Sequence, residues 1–492
     1  MSTVDAGGEV RLRPYQQNAI RELEARVAAG KRRIVVVAAT GSGKTVIFAR
    51  VVADALAQGR TVLVVAHRRE LIQQTYEKLL GAGLREAEVG VLMADDARRR
   101  PGAPVQVASI DTLRHRPKPP ADLVIVDEAH RELARSYRQM RAHYPVAVHL
   151  GFTATPYRAD HRGLGEFYED LLVIASIGDL IAQGYLVEPR VFTVPADRLP
   201  NLTRVRVRAG DYAQDQLEEA VDQARLVGDI VEHWLRRAPG VRTVAFAVSV
   251  KHSKHIAERF RQAGVAAEHL DGTTAVAERD AVLARLERGE TLVVSNCGVL
   301  CEGWDQPSAK CAILARPTKS TGLYLQQAGR ILRPWREERA IILDHAGCAR
   351  EHLLPQAERV FSLAPRPKRK RGETVAVPIR VCDGCQAVLR ARVRLCPECG
   401  FLFTEEREVP AEADGELVLM APAVPVTIEQ ADKDAKKPRR EWNRGVQRTV
   451  FEQFRALART KKQDATWVRA RFIERYGAPP PAEWVEGGWG TP

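Results

Sequence analysis

Apolar residues come in short unbroken runs along the first half of the chain, separated by longer stretches in which they recur every three or four positions. RRIVVVAAT, TVLVVAH, VQVASI, DLVIVDEAH and AVHLGFTAT read as strands, and helical patterns follow the first two. Strands that alternate with helices predict βαβ units around a parallel sheet, and runs apolar on both faces fit a sheet covered on both sides. A second series repeats the scheme with RTVAFAVS, AAEHLDG, TLVVSNC, KCAILAR and AIILDHAG. The predicted fold class is therefore α/β, with two parallel-sheet domains in tandem.

Breaks in the pattern divide the chain further. Pro195, Pro200 and the basic, aperiodic stretch TRVRVRAGDY place a linker over 196–225, after a first domain over 1–195. The second domain spans 226–363 and ends at APRPKRKRG, a basic linker over 364–378. A four-cysteine module follows over 379–404, then a charged linker over 405–440. The last module, 441–492, is helical: Val468, Phe472 and Tyr476 fall four apart, on one helix face. Trp442, Trp467 and Trp484 lie there among Arg and Lys, and two readings stand: stacking on bases, or the core of a small helical module.

Length agrees with several domains, since one core stops growing at roughly 250 to 300 residues and this chain has 492. Hydrophobic residues at 45% exclude a disordered or collagen-like chain. The N-terminus lacks a signal-peptide pattern, and no apolar run reaches the ~18 residues that a bilayer requires, so a cytoplasmic protein with no membrane partner is expected. Lys and Arg number 75 against 62 Asp and Glu, a net charge of +13 that favours a polyanionic partner. The tail from Phe361 carries 24 of those cations and 18 of the acids, so the excess is concentrated near the basic linker.

The chemistry begins at Ala38 to Thr45, AATGSGKT, between a strand and a helix. This is the setting of a phosphate-binding loop, although Ala38 replaces the first Gly of the strict pattern. Gly41 and Gly43 let backbone N–H groups wrap the phosphates of ATP beside Thr40 and Ser42. Lys44 reaches the β and γ phosphates, and the Thr45 hydroxyl binds Mg²⁺. Asp127 and Glu128 close the apolar run DLVIV at the C-terminal sheet edge, where open α/β folds bind ligands. There Asp127 would hold Mg²⁺ and Glu128 would polarise the attacking water.

With DEAH (Asp127 to His130), AATGSGKT, TATP (Thr153 to Pro156) and QQAGRILR (Gln326 to Arg333), the chain resembles the superfamily 2 helicases. The resemblance implies two RecA-like domains with ATP between them. It also implies that LRPYQ (Leu12 to Gln16) recognises adenine, Gln16 reading the base edge and Arg13 or Tyr15 stacking on it. AHRREL (Ala66 to Leu71) and VASIDTL (Val107 to Leu113) resemble strand-contacting motifs. Thr153 and Thr155 resemble the motif linking the ATP site to the strand. CEGWDQP (Cys301 to Pro307) resembles a motif with Gly303 and Asp305 near the nucleotide. Gln326, Arg330 and Arg333 fit Q-x-x-G-R-x-x-R, whose arginines stabilise γ-phosphate charge when the cleft closes.

Cys382, Cys385, Cys396 and Cys399 have the two-knuckle spacing of a structural Zn²⁺ site. Within the superfamily, the bacterial RadD group is the nearest resemblance. It rests on HRREL, the DEAH box, Asp344 to Gly347 (DHAG), the four cysteines and the tail segment TWVRARFIERYG. That group is associated with DNA repair and with the single-stranded DNA-binding protein. The expected function is an ATP-dependent helicase or translocase on DNA in preference to RNA, active in repair or recombination. The alternatives are an ATP-switched DNA-remodelling factor that does not separate strands, and an RNA helicase.

Overall fold

The computed structural model describes residues 12–94, 96–131, 134–156, 162–195, 198–208, 210–222, 224–336, 338–365, 379–391 and 393–403. In the tail it describes 451, 454–455, 458, 465–476, 479–481 and 484. Residues 366–378 of the basic linker, the charged linker over 405–440 and Trp442 lie outside these residues.

The first sheet comprises β1 (Arg33–Ala38), β2 (Val62–Ala66), β3 (Val89–Leu92), β4 (Val105–Ser109), β5 (Leu123–Asp127), β6 (Val148–Thr153) and β7 (Asp170–Ala175). Their order is β3-β4-β2-β5-β6-β1-β7, and every pairing is parallel. The inner strands are buried along almost their whole length, as runs such as VLVVA and LVIVD require. Helices α1 (Pro14–Ala28), α2 (Lys44–Ala57), α3 (Arg69–Gly81), α4 (Ile110–His115) and α5 (Arg135–Arg141) connect and cover them. Ile20, Leu23, Phe48, Val52, Ile72 and Leu79 form the apolar stripes of the first three helices and pack on the Val, Ile and Leu side chains of one sheet face.

After β7 the chain forms α6 (Ile177–Ala182), and β8 (Arg190–Thr193) then joins a second sheet. A two-stranded ribbon, β9 (Val207–Arg208) and β10 (Asp211–Tyr212), precedes α7 (Gln214–Val221) and α8 (Ala224–Arg237). The second sheet then gains β11 (Thr243–Phe246), β12 (Ala267–Leu270), β13 (Val293–Asn296), β14 (Cys311–Leu314) and β15 (Ile341–Asp344), interleaved with α9 (Val250–Gln262), α10 (Val276–Arg288) and α11 (Thr321–Gly329). Its order is β12-β13-β11-β14-β15-β8, again all parallel. The two RecA-like α/β domains are thus present, each strand series forming one sheet.

One boundary differs from the sequence expectation. Arg190–Thr193 falls inside 1–195, yet β8 pairs with β15 of the second sheet, so the chain changes sheets between Ala175 and Arg190. The run VFTV is apolar enough for either sheet, and only a partner strand about 150 positions later decides its place. The expected linker over 196–225 also carries the ribbon and α7.

Beyond β15, α12 (Cys348–His352) leads into a segment that returns to the first domain. Leu354 still packs in the second domain, whereas the Leu363 carbonyl accepts from Gly165 N at 2.9 Å and its side chain lies against a cluster of Val35, Ala129, Leu164 and Tyr168. Midway, Gln356 Nε2 donates to Glu188 Oε1 at 3.2 Å, and a Cβ on Gly178 would sit 3.1 Å from the Gln356 carbonyl. The outgoing and returning connections therefore run side by side. The four-cysteine module follows as an antiparallel pair, β16 (Ile379–Val381) and β17 (Val388–Arg390).

The tail is a separate unit with one described helix, α13 (Ala465–Tyr476). Val468 and Phe472 are buried, and Trp484 packs 6.0 Å from both Phe451 and Phe472. Trp484 is therefore a core residue of this module, while Trp467 is half-buried beside Arg471.

Candidate nucleotide-binding site and metal centre

β1 delivers the loop 39–43 to the N-terminus of α2, and two glycines make the turn. Gly41 and Gly43 have φ of +87° and +78°, a region that side chains avoid. A Cβ on Gly43 would lie 2.6 Å from Gln16 Nε2, and one on Gly41 would lie 3.0 Å from Leu186 Cδ2 and 4.0 Å from Arg333. The loop is held by α1: Tyr15 Oη and Gln16 Nε2 both donate to the Ser42 carbonyl, at 2.6 and 3.0 Å. The buried Ser42 hydroxyl has no partner among the described residues, and Thr45 sits half-buried in the first turn of α2. A glycine-shaped cradle at a helix N-terminus with an unmatched hydroxyl and Lys44 fits a polyphosphate.

Asp127 is the last residue of β5, and the backbone then turns sharply at Glu128, whose φ of +55° is rare for a residue with a side chain. That turn brings the Glu128 carboxylate to a meeting point. Lys44 Nζ donates to Oε1 at 3.0 Å, and Gln326 Nε2 reaches Oε2 from the second domain at 3.4 Å. His130 Nδ1 lies 3.3 Å from Oε2 and 3.2 Å from the Thr153 hydroxyl, which itself donates to the Thr155 carbonyl at 2.7 Å. Burial works to raise the Glu128 carboxyl, but Lys44 and His130 outweigh it and hold the group below the ordinary range. For Asp127, burial prevails over the opposing charge of Lys44 and pushes it up to about 6. Burial disfavours the Lys44 ammonium, yet Glu128 and Asp127 keep it charged more firmly than usual.

The second domain closes directly on this cradle. A Cβ on Gly329, at the end of α11, would come within 2.5 Å of Thr40 Cβ, so only glycine fits there. Arg333 pairs with Asp305 beside Gly41, and burial together with Arg13 pushes its pKa down to about 10. Arg330 is placed differently. It is buried within its own domain, with Nε and Nη2 donating to the Cys301 carbonyl at 3.1 and 2.6 Å and Nη1 donating to that of Trp304. It braces the CEGWD loop. Gly303, at φ +69°, lies against α3, where a Cβ would be 3.3 Å from Glu70 Cβ.

Four residues that sequence reasoning missed complete the cleft. The Arg13 guanidinium lies 4.4 Å over the Tyr185 ring, so Tyr185 stacks at the start of α1, and Leu186 lies against Gly41. Glu302 pairs with Arg68, Oε2 to Nε at 3.2 Å, and sits 3.0 Å from His67 Nε2, fastening the HRREL segment to the second domain. The wholly buried Lys310 donates from Nζ to the Ile331 carbonyl at 3.1 Å and to that of Arg333. Tyr185 and Leu186 carry no motif signal. A charged residue opening the apolar run KCAILA was a signal for Lys310, and the acid inside CEGWD was one for Glu302.

The sulfurs of Cys382, Cys385, Cys396 and Cys399 all lie within 4.8 Å of one another. Cys382 with Cys399 and Cys385 with Cys396 are 3.5 and 3.6 Å apart. Zn–S bonds of about 2.3 Å in a tetrahedron put sulfurs ~3.8 Å apart, so the set fits zinc. The module is anchored on the second domain, where Gln386 O accepts from Thr193 N at 3.0 Å, Cys385 O accepts from Arg237 at 3.0 Å, and Arg190 pairs with Glu398.

Residues 9–158 match the family model described as type III restriction enzyme, res subunit, and residues 223–334 match the helicase conserved C-terminal domain. A 51.5 kDa protein of a Lactococcus phage (isolate 7-9) is 30% identical over 382 residues, covering 77% of this chain and 80% of the phage protein. A protein of Saccharomyces cerevisiae named as a putative ATP-dependent helicase, IRC3, is 31% identical over 345 residues, and the match covers 65% of this chain but 49% of the yeast protein. Among solved structures, the ATP-dependent type ISP restriction-modification enzyme LlaBIII bound to DNA aligns with a TM-score of 0.53 at 19% identity, over 68% of this chain and 28% of that one. No helix among the described residues is long and apolar enough to cross a membrane.

Proposed function

This chain belongs to the superfamily 2 helicases and is an ATP-hydrolysing enzyme, and from that premise we propose that it is a DNA-stimulated motor acting in repair or recombination. The observation that carries the reading is the meeting at Glu128, gripped by Lys44 from the first domain and by Gln326 from the second. A water-polarising carboxylate held from both sides becomes correctly placed only when the domains are together, and that ties hydrolysis to domain closure.

In this reading Lys44, Gly41, Ser42 and Gly43 hold the phosphates, and Thr45 and Asp127 hold Mg²⁺. Glu128 orients water, and Arg333 neutralises charge on the γ-phosphoryl group while Arg330 keeps its loop in place. Gln16, Arg13 and Tyr185 bind the base. The four thiolates hold one structural Zn²⁺. A strand would lie across both domains, a role supported by the DNA carried by the restriction-modification enzyme of like fold. The RadD resemblance, and with it the single-stranded DNA-binding protein as partner, belongs to the same proposal. ATPase assays with single-stranded DNA, duplex DNA and RNA, run beside strand displacement, test it. Turnover indifferent to every nucleic acid would sink the motor assignment, and stimulation by RNA alone would move it to the RNA class.

A further inference from the structure

The basic stretch TRVRVR was set down above as part of a linker, and neither domain's chemistry uses it. In the structure its end, Val207–Arg208, is one arm of the β9–β10 ribbon, with Arg206 continuing that arm through its carbonyl to Ala213 N and Arg204 in the turn before it. Leu202, Val205 and Tyr212 pack against Leu217, Val221 and Val248, and Arg206 N donates to Gln216 Oε1 at 2.8 Å, so the ribbon is fixed on α7. The other side chains of the stretch face water: Arg204, Arg206 and Arg208 are exposed, and Val207 at the end is 54% exposed. Among the described residues none of the three arginines is ion-paired, unlike Arg85 with Glu88 or Arg285 with Glu268 and Glu278.

The one acid of the ribbon is turned away from them. Asp211 accepts from the Thr318 hydroxyl at 2.9 Å and from Lys319 N at 2.8 Å, and Arg316 approaches it at 3.6 Å. These three residues belong to the loop that opens α11, the helix bearing Gln326. The ribbon is thus a cationic edge on a rigid mount, one hydrogen-bonded loop away from the helix that touches Glu128. In an extended strand alternate residues such as Arg206 and Arg208 recur about every 6.7 Å, of the same order as the phosphate repeat of a stretched nucleic-acid strand.

We propose that the β9–β10 ribbon is a nucleic-acid backbone contact, with Arg204, Arg206 and Arg208 binding successive phosphates without reading bases. Guanidinium groups suit this task because they offer forked donors to phosphate oxygens and remain charged at every working pH. Contacts of this kind position a strand and carry no sequence information. The inference rests on the motor assignment above for the identity of the polyanion. It adds where on the surface the strand is held.

The test replaces all three arginines by alanine in the full chain and measures binding to a fluorescent oligonucleotide over a range of salt concentrations. Each lost phosphate contact should flatten the log–log salt slope by about 0.7 on a single strand, hence by about 2 for three. Affinity should fall equally for unrelated sequences. ATP turnover without nucleic acid should match the wild type, because the ribbon touches none of the nucleotide-binding residues, whereas the concentration of strand needed for half-maximal stimulation should rise at least tenfold. The triple lysine variant should restore most of the slope. Wild-type binding with an unchanged slope and affinity in the alanine variant overturns the inference alone and leaves this edge to an acidic protein partner. Wild-type protein that binds no strand overturns the inference and the motor assignment together.

Discussion

Lys44 and Glu128 neutralise each other across the phosphate cradle, Nζ to Oε1 at 3.0 Å, in a site where both are largely buried. In the proposed mechanism an incoming γ-phosphate would compete for Lys44, and the carboxylate so released would be free to orient water, making binding and activation one event. Lys44→Ala should therefore abolish turnover and leave Glu128 with only Gln326 and His130 as partners. Glu128→Gln should keep nucleotide affinity within a few fold of wild type while lowering kcat at least ~100-fold, the usual scale for a lost general base. Equilibrium nucleotide binding measured beside steady-state ATPase separates the two, and a Glu128→Gln protein with normal kcat would remove Glu128 from the chemistry.

The neighbouring carboxyl gives a pH signature. Burial pushes Asp127 up to about 6, so as pH falls through that value the group takes up a proton and loses the charge that attracts a divalent cation. ATPase at limiting Mg²⁺ should therefore decline between pH 7 and pH 5. Saturating Mg²⁺ should shift the decline to lower pH, since the cation competes with the proton. A decline insensitive to Mg²⁺ would place the titrating group elsewhere.

Lys310 should matter for rate more than for affinity. Its buried ammonium holds the Ile331 and Arg333 carbonyls, and through them the backbone that aims Arg333 at the loop around Gly41. Lys310→Met keeps the volume and removes the donors. We expect kcat for ATP to drop about tenfold or more with KM changed less than threefold, and Lys310→Arg to recover part of it. Equal losses in both constants would indicate general damage to the fold.

The Glu302 contact with His67 and Arg68 joins the HRREL segment of the first domain to the second. Removing one partner of a fully buried pair destabilises by about 3–5 kcal/mol. Because Arg68 is 32% exposed, Glu302→Ala should fall below that range. It should still widen the population of separated domains, visible as a lower energy-transfer efficiency between dyes on the two domains. Unchanged transfer would mean that the clasp contributes nothing to closure.

Metal analysis of gently purified protein should give about one zinc per chain. Cys382→Ser should release it and expose the β16–β17 module to protease. ATPase should survive in part, since the module is anchored against β8 through Thr193 and Gln386 and supplies none of the residues around the phosphate loop. Zinc-free native protein would refute the site.

Most of the sheet strands and the phosphate loop were legible because their signals are local. IVVVA followed by a glycine-rich turn, or DLVIV ending in two acids, constrains the backbone within a few residues. Placement that depends on distant partners was not. Nothing in RVFT names β15 as its neighbour, and the half-exposed β7 (DLLVIA) has too weak a pattern to declare a strand. Arg330 shows the same limit inside the site. Its spacing from Gln326 is a motif, but that its guanidinium turns inward to the Cys301 and Trp304 carbonyls depends on a loop about 26 to 29 residues earlier. In the tail, Trp484 could be assigned to the core only once Phe451 and Phe472 were seen around it.

The paired connections at Gly178 and Gln356 have a mechanical consequence. A body attached at a single flexible point tumbles freely, whereas one attached by two adjacent strands keeps essentially one rotation, about the line that they define. Opening of the cleft is then a swing with a fixed axis, and the arc travelled by any residue grows with its distance from that line. The first domain's half of the axis is anchored where Leu363 packs on the cluster that includes Ala129 of the DEAH box. The pivot and the chemistry therefore share a wall, so a small turn there becomes a large step at the far rim of the cleft.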